Sequence, residues 1–187
     1  MEITELQEDF PLLTTDSSRS TDKIHVTEII ADIEKTLGKE YKGDWDSQIT
    51  REIGFLWEGV LSRAFGDSLA IRPPEVEVDG IVMSMDGVDL DNWTIEEYKC
   101  TWSSTKKSPD MVWRWMSQTK AYCKGMGKQK KEGGKYPCVK FHILYLMGGY
   151  DGKGPKYKVY RVEFSELEIE ENWAMIVNHA RHRGRIE

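Results

Sequence analysis

Hydrophobic residues recur along this chain at two spacings, which predicts a mixture of helices and strands. The spacing of three and four residues predicts helices over 27–37, 46–65, 109–125 and 165–183. Alternating or continuous apolar runs predict strands over 74–84, 93–101, 138–147 and 156–164. A turn is expected through residues 87–92. Helices that alternate with pairs of strands in this way indicate an α/β fold.

Polar residues, proline and glycine indicate where several of these elements begin or end. Thr27 is the predicted N-cap of the first helix, Ser108 followed by Pro109 begins the third, and Gly125 ends it. The glycine-rich segment 148–155 lies between two strands, which predicts a hairpin turn rather than a phosphate loop. In the second helix, residues at helical spacing predict a buried stripe: Ile49, Ile53, Leu56, Trp57, Val60 and Ala64.

The length and composition fit one intracellular domain. A chain of 187 residues with 39% hydrophobic content can fill one sizeable core. We expect a flexible polar tail over residues 1–22 and a single domain over 23–187. The N-terminus lacks a basic and then apolar signal, and the longest apolar run, 141–147, is too short to cross a bilayer. A cytoplasmic protein without membrane contact is therefore predicted.

Positive charge is concentrated in the middle of the chain, although the net charge is -6. Residues 99–140 contain 11 Lys and Arg against 2 Asp and Glu. Such a run predicts a track for nucleic-acid phosphates, and a solvated helix face is the alternative. The residues of this predicted track are Lys106, Lys107, Arg114, Lys120, Lys124, Lys128, Lys130, Lys131 and Lys135.

Two acids and a lysine converge on the strands around the predicted turn. Glu97 and Lys99 are two positions apart on a strand, so their side chains share a face from which Tyr98 points away. Asp86 precedes the turn, and Asp79 is the alternative second acid. Carboxylates are the ligands that Mg²⁺ prefers, and a neighbouring ammonium can stabilise a phosphoryl transition state. This combination indicates phosphodiester hydrolysis.

The segment 83–102 resembles the PD-(D/E)XK nuclease superfamily, which has an Asp on one strand of a hairpin and Glu-x-Lys on the next. Residues 84–87 are similar to the Ser-Pro-Asp-Gly turn of phage lambda-type exonucleases, with Met85 in place of Pro. The helix segment 54–65, with one acid, is similar to the first motif of the family. Gln118-x-x-x-Tyr122 is similar to a motif of the RecB-type and CRISPR-associated branch.

The resemblance, which covers about residues 54–122, implies one restriction-endonuclease-like domain with a mixed central sheet flanked by helices. It also implies a Mg²⁺- or Mn²⁺-dependent DNA exonuclease of phage recombination, replication or DNA processing, made in a bacterial host. A single-strand annealing or recombination protein would be a partner. An endonuclease selective for DNA structure or sequence, and an inactive nucleic-acid-binding module, are the alternatives.

The site residues follow from the resemblance by their positions in the motifs. The metal would be bound by Asp86, Glu97 and the Tyr98 carbonyl, with Glu58 as a ligand of the metal or of a coordinated water. Lys99 would orient the attacking water. The scissile strand would be positioned by Gln118 and Tyr122.

Three cysteines occur at Cys100, Cys123 and Cys138, without a C-x-x-C pair. Some relatives of the RecB type hold an iron–sulfur cluster on four cysteines, so no such cluster is expected here. The cysteines are predicted to be buried, reduced thiols. A zinc site is the alternative.

Overall fold

The computed structural model describes residues 20, 22–39, 47–65, 72–129 and 134–187. Nearly all of the predicted tail, as well as Lys130 and Lys131, lies outside these ranges. The helices are α1 (Val26–Thr36), α2 (Ser47–Phe65), α3 (Trp113–Met126) and α4 (Glu166–His182). The strands are β1 (Ile24–His25), β2 (Val76–Val78), β3 (Ile81–Met83), β4 (Gly87–Asp89), β5 (Thr94–Thr101), β6 (Cys138–Tyr145) and β7 (Lys156–Val162).

The described strands form two mixed sheets. The central sheet has the order β4-β5-β6-β7, in which β5 and β6 are parallel and the outer pairs are antiparallel. The parallel pair requires a crossover, and α3 supplies it. The smaller sheet has the order β1-β3-β2, with β1 parallel to β3. The predicted α/β fold with mixed strands and flanking helices is confirmed, although the strands are divided between two sheets.

The continuous strand predicted over 74–84 is wrong, because the segment is a hairpin. Asp79 and Gly80 have φ angles of 52° and 75°, and β2 pairs with β3 on either side of them. Asp-Gly is a strong signal for a two-residue turn, since both positions need a positive φ. The side chain of Asp79 accepts a 2.8 Å hydrogen bond from Trp173 Nε1, which ties the turn to α4.

The turn predicted over 87–92 is also wrong in part, because β4 occupies its first three residues. The chain reverses after Asp89, whose carboxylate accepts hydrogen bonds from the backbone of Asp91 and Asn92 at 3.0 Å. Such a side chain fixes a tight turn by satisfying two backbone donors. As a result, β4 and β5 form a short hairpin with Asp86 directly before it.

The core lies where α3 packs against β5 and β6 of the central sheet and, on its other sides, against α1 and α4. Its fully buried side chains include Ile30, Ile95, Ala121, Phe141, Ile143, Tyr145, Ile169 and Ile176. The buried stripe predicted for α2 is wrong, since Leu56 and Val60 are 66% and 46% exposed and Ala64 is also exposed. Among the described side chains of α2, Leu61 and Glu52 are the buried ones.

The predicted helix boundaries differ from the observed ones by at most four residues. Helix α1 begins at Val26, after His25 rather than Thr27, and α3 begins at Trp113, after a 3₁₀ turn over Pro109–Met111. Gly125 lies inside α3, which ends at Met126 before Gly127 with a φ of 68°. A Cβ at Gly125 would lie 3.0 Å from the sulfur of Met83. This glycine therefore permits close packing of α3 on β3.

The cysteines are free thiols, and two of the three are buried. Burial raises the pKa of Cys123 to about 12 and that of Cys100, which is half-buried, to about 11. Cys138 lies 3.0 Å from the hydroxyl of Thr94. The prediction of reduced, buried thiols is therefore confirmed for Cys123 and Cys138.

None of the helices in the described part of the chain is long and apolar enough to cross a membrane.

Candidate active site

Asp86 and Glu97 meet at the β4–β5 hairpin. The Tyr98 amide donates a 2.8 Å hydrogen bond to Asp86 Oδ2, which holds the Asp86 carboxylate against β5. Glu97 is fully buried. Burial raises the pKa of Asp86, and burial together with the charge of Asp86 raises the pKa of Glu97 to about 8. Two carboxylates therefore occupy a poorly solvated site, where each resists the ionisation of the other.

Lys99 links these acids to α3. Its ammonium forms an ion pair with Glu97 Oε1 and donates a 3.4 Å hydrogen bond to Gln118 Oε1. Gln118 Nε2 in turn donates a 2.7 Å bond to the Tyr122 hydroxyl. Burial lowers the pKa of Lys99, but the charges of Glu97 and Asp86 outweigh it, so the pKa lies above its usual value. Lys99 is therefore positively charged at neutral pH.

Glu58 approaches the site from α2, but it has an additional partner. Helix α2 packs on β5, and the charge of Glu58 is near enough to contribute to the raised pKa of Glu97. The Glu58 Oε1 atom lies 3.2 Å from Nη1 of Arg72, a residue that the sequence interpretation missed. Within the described ranges, no three His, Cys, Asp or Glu side chains are grouped so that they could hold a metal ion. The site thus brings two acids together and leaves the third paired with an arginine.

The donor chemistry of the site nevertheless fits a hard divalent cation. Glu97 Oε2 is buried and has no hydrogen-bond partner among the described residues. Burying a carboxylate oxygen without a partner is costly, and a cation bound beside it would offset this cost. Mg²⁺ is commonly held by one or two carboxylates and otherwise keeps water ligands. Asp86 and Glu97 supply such a pair.

The opposite face of β5 carries a polar cluster that the sequence did not reveal. Glu96 points away from Glu97, as strand alternation predicts, and its carboxylate binds His142 Nε2. The other ring nitrogen of His142 binds the Tyr157 hydroxyl, and the ring packs edge to face with Tyr98 at 5.4 Å. The parallel register that places His142 opposite Tyr98 exists only in the folded sheet.

Three lysines of the predicted phosphate track pair with acids of α4. Lys120, Lys124 and Lys128 lie 3.6, 2.6 and 2.7 Å from Glu168, Glu170 and Glu166, respectively. Arg114 lies 3.6 Å from Glu34 of α1. These groups connect helices to one another. In contrast, Lys106 and Lys107 are exposed on the loop that follows β5, and no ion pair with a described residue is seen for them.

The raised pKa of Glu97 predicts how stability depends on pH without divalent cations. A Glu in an unfolded chain titrates near ~4.3, so the folded protein binds the extra proton up to about pH 8. This contribution to stability is complete below the unfolded pKa and is lost as pH rises toward the folded pKa. We expect the Tm in EDTA to fall more steeply between about pH 5 and 8 for the wild type than for Glu97→Gln.

Scanning calorimetry at several pH values measures this difference, and Glu163→Gln, at an exposed position of the same residue type, is the control. Parallel Tm curves for the wild type and Glu97→Gln would show that the pKa of Glu97 is not raised.

No protein-family model and no curated protein matches the sequence. Solved structures do match. The crystal structure of LHK-Exo in complex with dAMP aligns with a TM-score of 0.51 and 16% identity, over 86% of this chain and 87% of that one. LHK-Exo is an alkaline exonuclease from Laribacter hongkongensis. A phage-related exonuclease from Haemophilus somnus 129PT aligns with a TM-score of 0.47 and 10% identity, over 86% and 92% of the two chains.

The likeness to LHK-Exo spans most of both chains. At 16% sequence identity, this structural likeness shows the fold alone. The chain therefore has the fold of the alkaline exonuclease LHK-Exo, which confirms the PD-(D/E)XK nuclease-like fold indicated by the motifs.

Proposed function

We propose that this protein is a metal-dependent DNA exonuclease. The observation that carries the proposal is the chain of contacts from Asp86 and Glu97 through Lys99 to Gln118. It joins the second, third and fourth motifs in one partly buried site. Two acids with raised pKa values and a permanently charged lysine suit phosphoryl transfer, where negative charge develops on phosphate oxygens. The fold shared with an alkaline exonuclease supports the same activity.

The roles of the residues follow from their partners. Asp86 and Glu97 would hold a Mg²⁺ or Mn²⁺ ion, with the Tyr98 carbonyl as a further ligand and Glu58 as a ligand of the ion or of its water. The ion, when bound, supplies Lewis-acid charge and lowers the pKa of a water. Lys99 holds the nucleophilic water by a hydrogen bond and balances charge on the phosphate.

Gln118 and Tyr122 act as one unit, because the amide donates to the phenol oxygen. The amide oxygen of Gln118 also accepts a hydrogen bond from the Lys99 ammonium. Gln118 and Tyr122 therefore fix the direction of the Lys99 side chain. We propose that Gln118 and Tyr122 position the scissile strand against Lys99. A long, flexible lysine gains catalytic effect when its neighbours hold one geometry.

One assay tests the proposed function directly. End-labelled linear DNA and closed circular DNA are incubated with the protein in Mg²⁺, Mn²⁺ or EDTA. Degradation of the linear DNA alone, dependent on the cation, is the expected result. Cleavage of the closed circle would instead show an endonuclease on the same core. Binding to DNA without cleavage in either cation would show an inactive nucleic-acid-binding module.

The DNA path is proposed to run over the loop after β5. Lys106 and Lys107 are exposed there, between the strand that carries Lys99 and the helix that carries Gln118. Lys124 of α3 and Lys128, just after α3, are less available, because pairing with acids of α4 offsets their charge. Phosphates that pass along the Lys106–Lys107 loop would lead toward the acids.

Substitution of Lys106 and Lys107 by Gln should weaken duplex binding more than the same change at Lys124 and Lys128. Each lost phosphate contact lowers the slope of log affinity against log salt by ~0.9, so the first pair should lower it by about 1.8. Fluorescence anisotropy over a salt series measures the slopes. Equal slopes for the wild type and the Lys106/Lys107 variant, with a reduced slope for the Lys124/Lys128 variant, would place the path on α3.

A further inference from the structure

Arg72 lies beside the acids although it belongs to none of the four motifs. Its Nη1 atom is 3.2 Å from Glu58 Oε1, and its charge opposes the rise in the pKa of Asp86. Arg72 and Lys99 thus both act on this group of acids, Arg72 on Glu58 and Asp86 and Lys99 on Glu97 and Asp86. Lys99 is largely buried, whereas the Arg72 side chain is 49% exposed. Arg72 therefore stands on the solvent side of the site.

The segment that carries Arg72 is held in place. Pro73 and Pro74 follow it, and each proline fixes its own φ and restricts the residue before it. Glu75 accepts a 3.0 Å hydrogen bond from Ser84 Oγ, two residues before Asp86. This hydrogen bond fixes the distance between the Arg72 backbone and the β4–β5 hairpin, whereas the long Arg72 side chain can still rotate.

A divalent cation and Arg72 compete for Glu58. The cation requires carboxylate oxygens, and Arg72 already occupies one oxygen of the Glu58 carboxylate. Once Glu58 turns to the cation, the guanidinium loses its carboxylate partner next to the place where a scissile phosphate would lie. A guanidinium matches the oxygens of a phosphate as well as it matches a carboxylate, through two parallel hydrogen bonds.

We infer that Arg72 exchanges partners during the reaction, from the Glu58 carboxylate to a phosphate oxygen of the bound DNA strand. Arg72 is then a substrate-binding residue that also keeps Glu58 from the cation until DNA arrives. This inference rests on the proposed nuclease function. It assigns to this chain a phosphate contact directly at the metal site, apart from the lysines of the surface loop.

The exchange makes two opposite predictions for Arg72→Gln. Without DNA, the variant should bind Mn²⁺ about two- to fivefold more tightly than the wild type, because a partly exposed ion pair no longer competes. With DNA, it should bind the duplex about tenfold more weakly, because a charge-assisted hydrogen bond to phosphate is lost. The salt slope should also fall by ~0.9. A residue that only supports the fold would not change the two affinities in opposite directions.

Both affinities are measured on the full chain. Free Mn²⁺ is followed by electron paramagnetic resonance, and duplex binding in Mn²⁺ by anisotropy in a Lys99→Ala background that leaves the DNA intact. Arg72→Lys, which keeps the charge, should restore most of the DNA affinity. Arg63→Gln is the matched control, since Arg63 is an exposed arginine of α2 that bonds to the Gly59 carbonyl.

Weaker or unchanged Mn²⁺ binding by Arg72→Gln would overturn the inference, and so would unchanged duplex affinity. The proposed function fails separately, if the wild type leaves linear DNA intact in both cations. The Mn²⁺ titration uses no DNA, so it still reports on competition for Glu58 in that case.

Discussion

The Lys99→Ala variant is expected to lose cleavage of linear DNA by ~10²-fold or more in kcat, the usual cost of removing one electrostatic stabiliser. Lys99 contacts Glu97 and Gln118 in a buried site, and its charge is available at neutral pH because both neighbouring acids raise its pKa. The loss should therefore appear in kcat, where interactions made only in the transition state are expressed. Single-turnover cleavage with labelled DNA measures it.

Two controls separate this effect from loss of structure. Lys153→Ala removes an exposed lysine from the turn between β6 and β7 and should leave kcat unchanged. Duplex binding by Lys99→Ala should stay close to that of the wild type, and its circular dichroism spectrum should be the same. Turnover by Lys99→Ala at the wild-type rate would remove the catalytic assignment of this lysine.

Binding of Mg²⁺ or Mn²⁺ should raise the Tm, since the ion relieves repulsion between Asp86 and Glu97. At a concentration of 100 times Kd, the ion adds ~2.7 kcal/mol, which corresponds to roughly 5–10 °C for a chain of this size. Asp86→Asn should abolish most of this shift. The amide oxygen can still accept the hydrogen bond from the Tyr98 amide, so the substitution removes charge while it preserves geometry.

Asp79→Asn is the matched control for this experiment. Asp79 lies in the β2–β3 turn, where its side chain accepts from Trp173, and Asn tolerates the positive φ and can accept the same bond. The shift in Tm on adding cation should therefore be unchanged in this variant. If Asp79→Asn suppresses the shift and Asp86→Asn does not, the metal ligand has been assigned to the wrong aspartate.

Local sequence was sufficient to predict which side chains share a face of a single strand or helix. Glu97 and Lys99 share a face because a strand alternates, and Gln118 and Tyr122 share a face because residues four apart on a helix are neighbours. The Asp-Gly turn at Asp79 was equally local. It was missed because the alternating apolar residues of β2 are followed closely by the apolar residues of β3, and hydrophobicity alone does not show where a strand ends.

Burial of α2 could not be predicted in the same way. Its apolar positions recur at helical spacing, yet Leu56 and Val60 face outward while the acidic Glu52 is buried. Periodicity shows which residues share a face. The direction of that face depends on the orientation of the helix against β5, which no residue of α2 encodes alone.

The basic segment could be located from local sequence, but its ion pairs could not. The sequence correctly locates a basic segment, but the acids that pair with Lys120, Lys124 and Lys128 lie 38 to 48 positions further along the chain, in α4. Packing of α3 on α4 brings the two sets together. Lysines that the sequence predicts to bind phosphates are therefore partly neutralised by acids in the folded protein.

The sequence by itself determined the α/β class, the shared face of Glu97 and Lys99 and the shared face of Gln118 and Tyr122, since each of these depends on residue type and short spacing. Only the tertiary structure decided that Arg72 holds Glu58, that Lys99 reaches Gln118, and that His142 lies behind Tyr98. Each of these contacts joins separate elements. The free energy of packing the whole core selects their relative placement, so no local pattern specifies it.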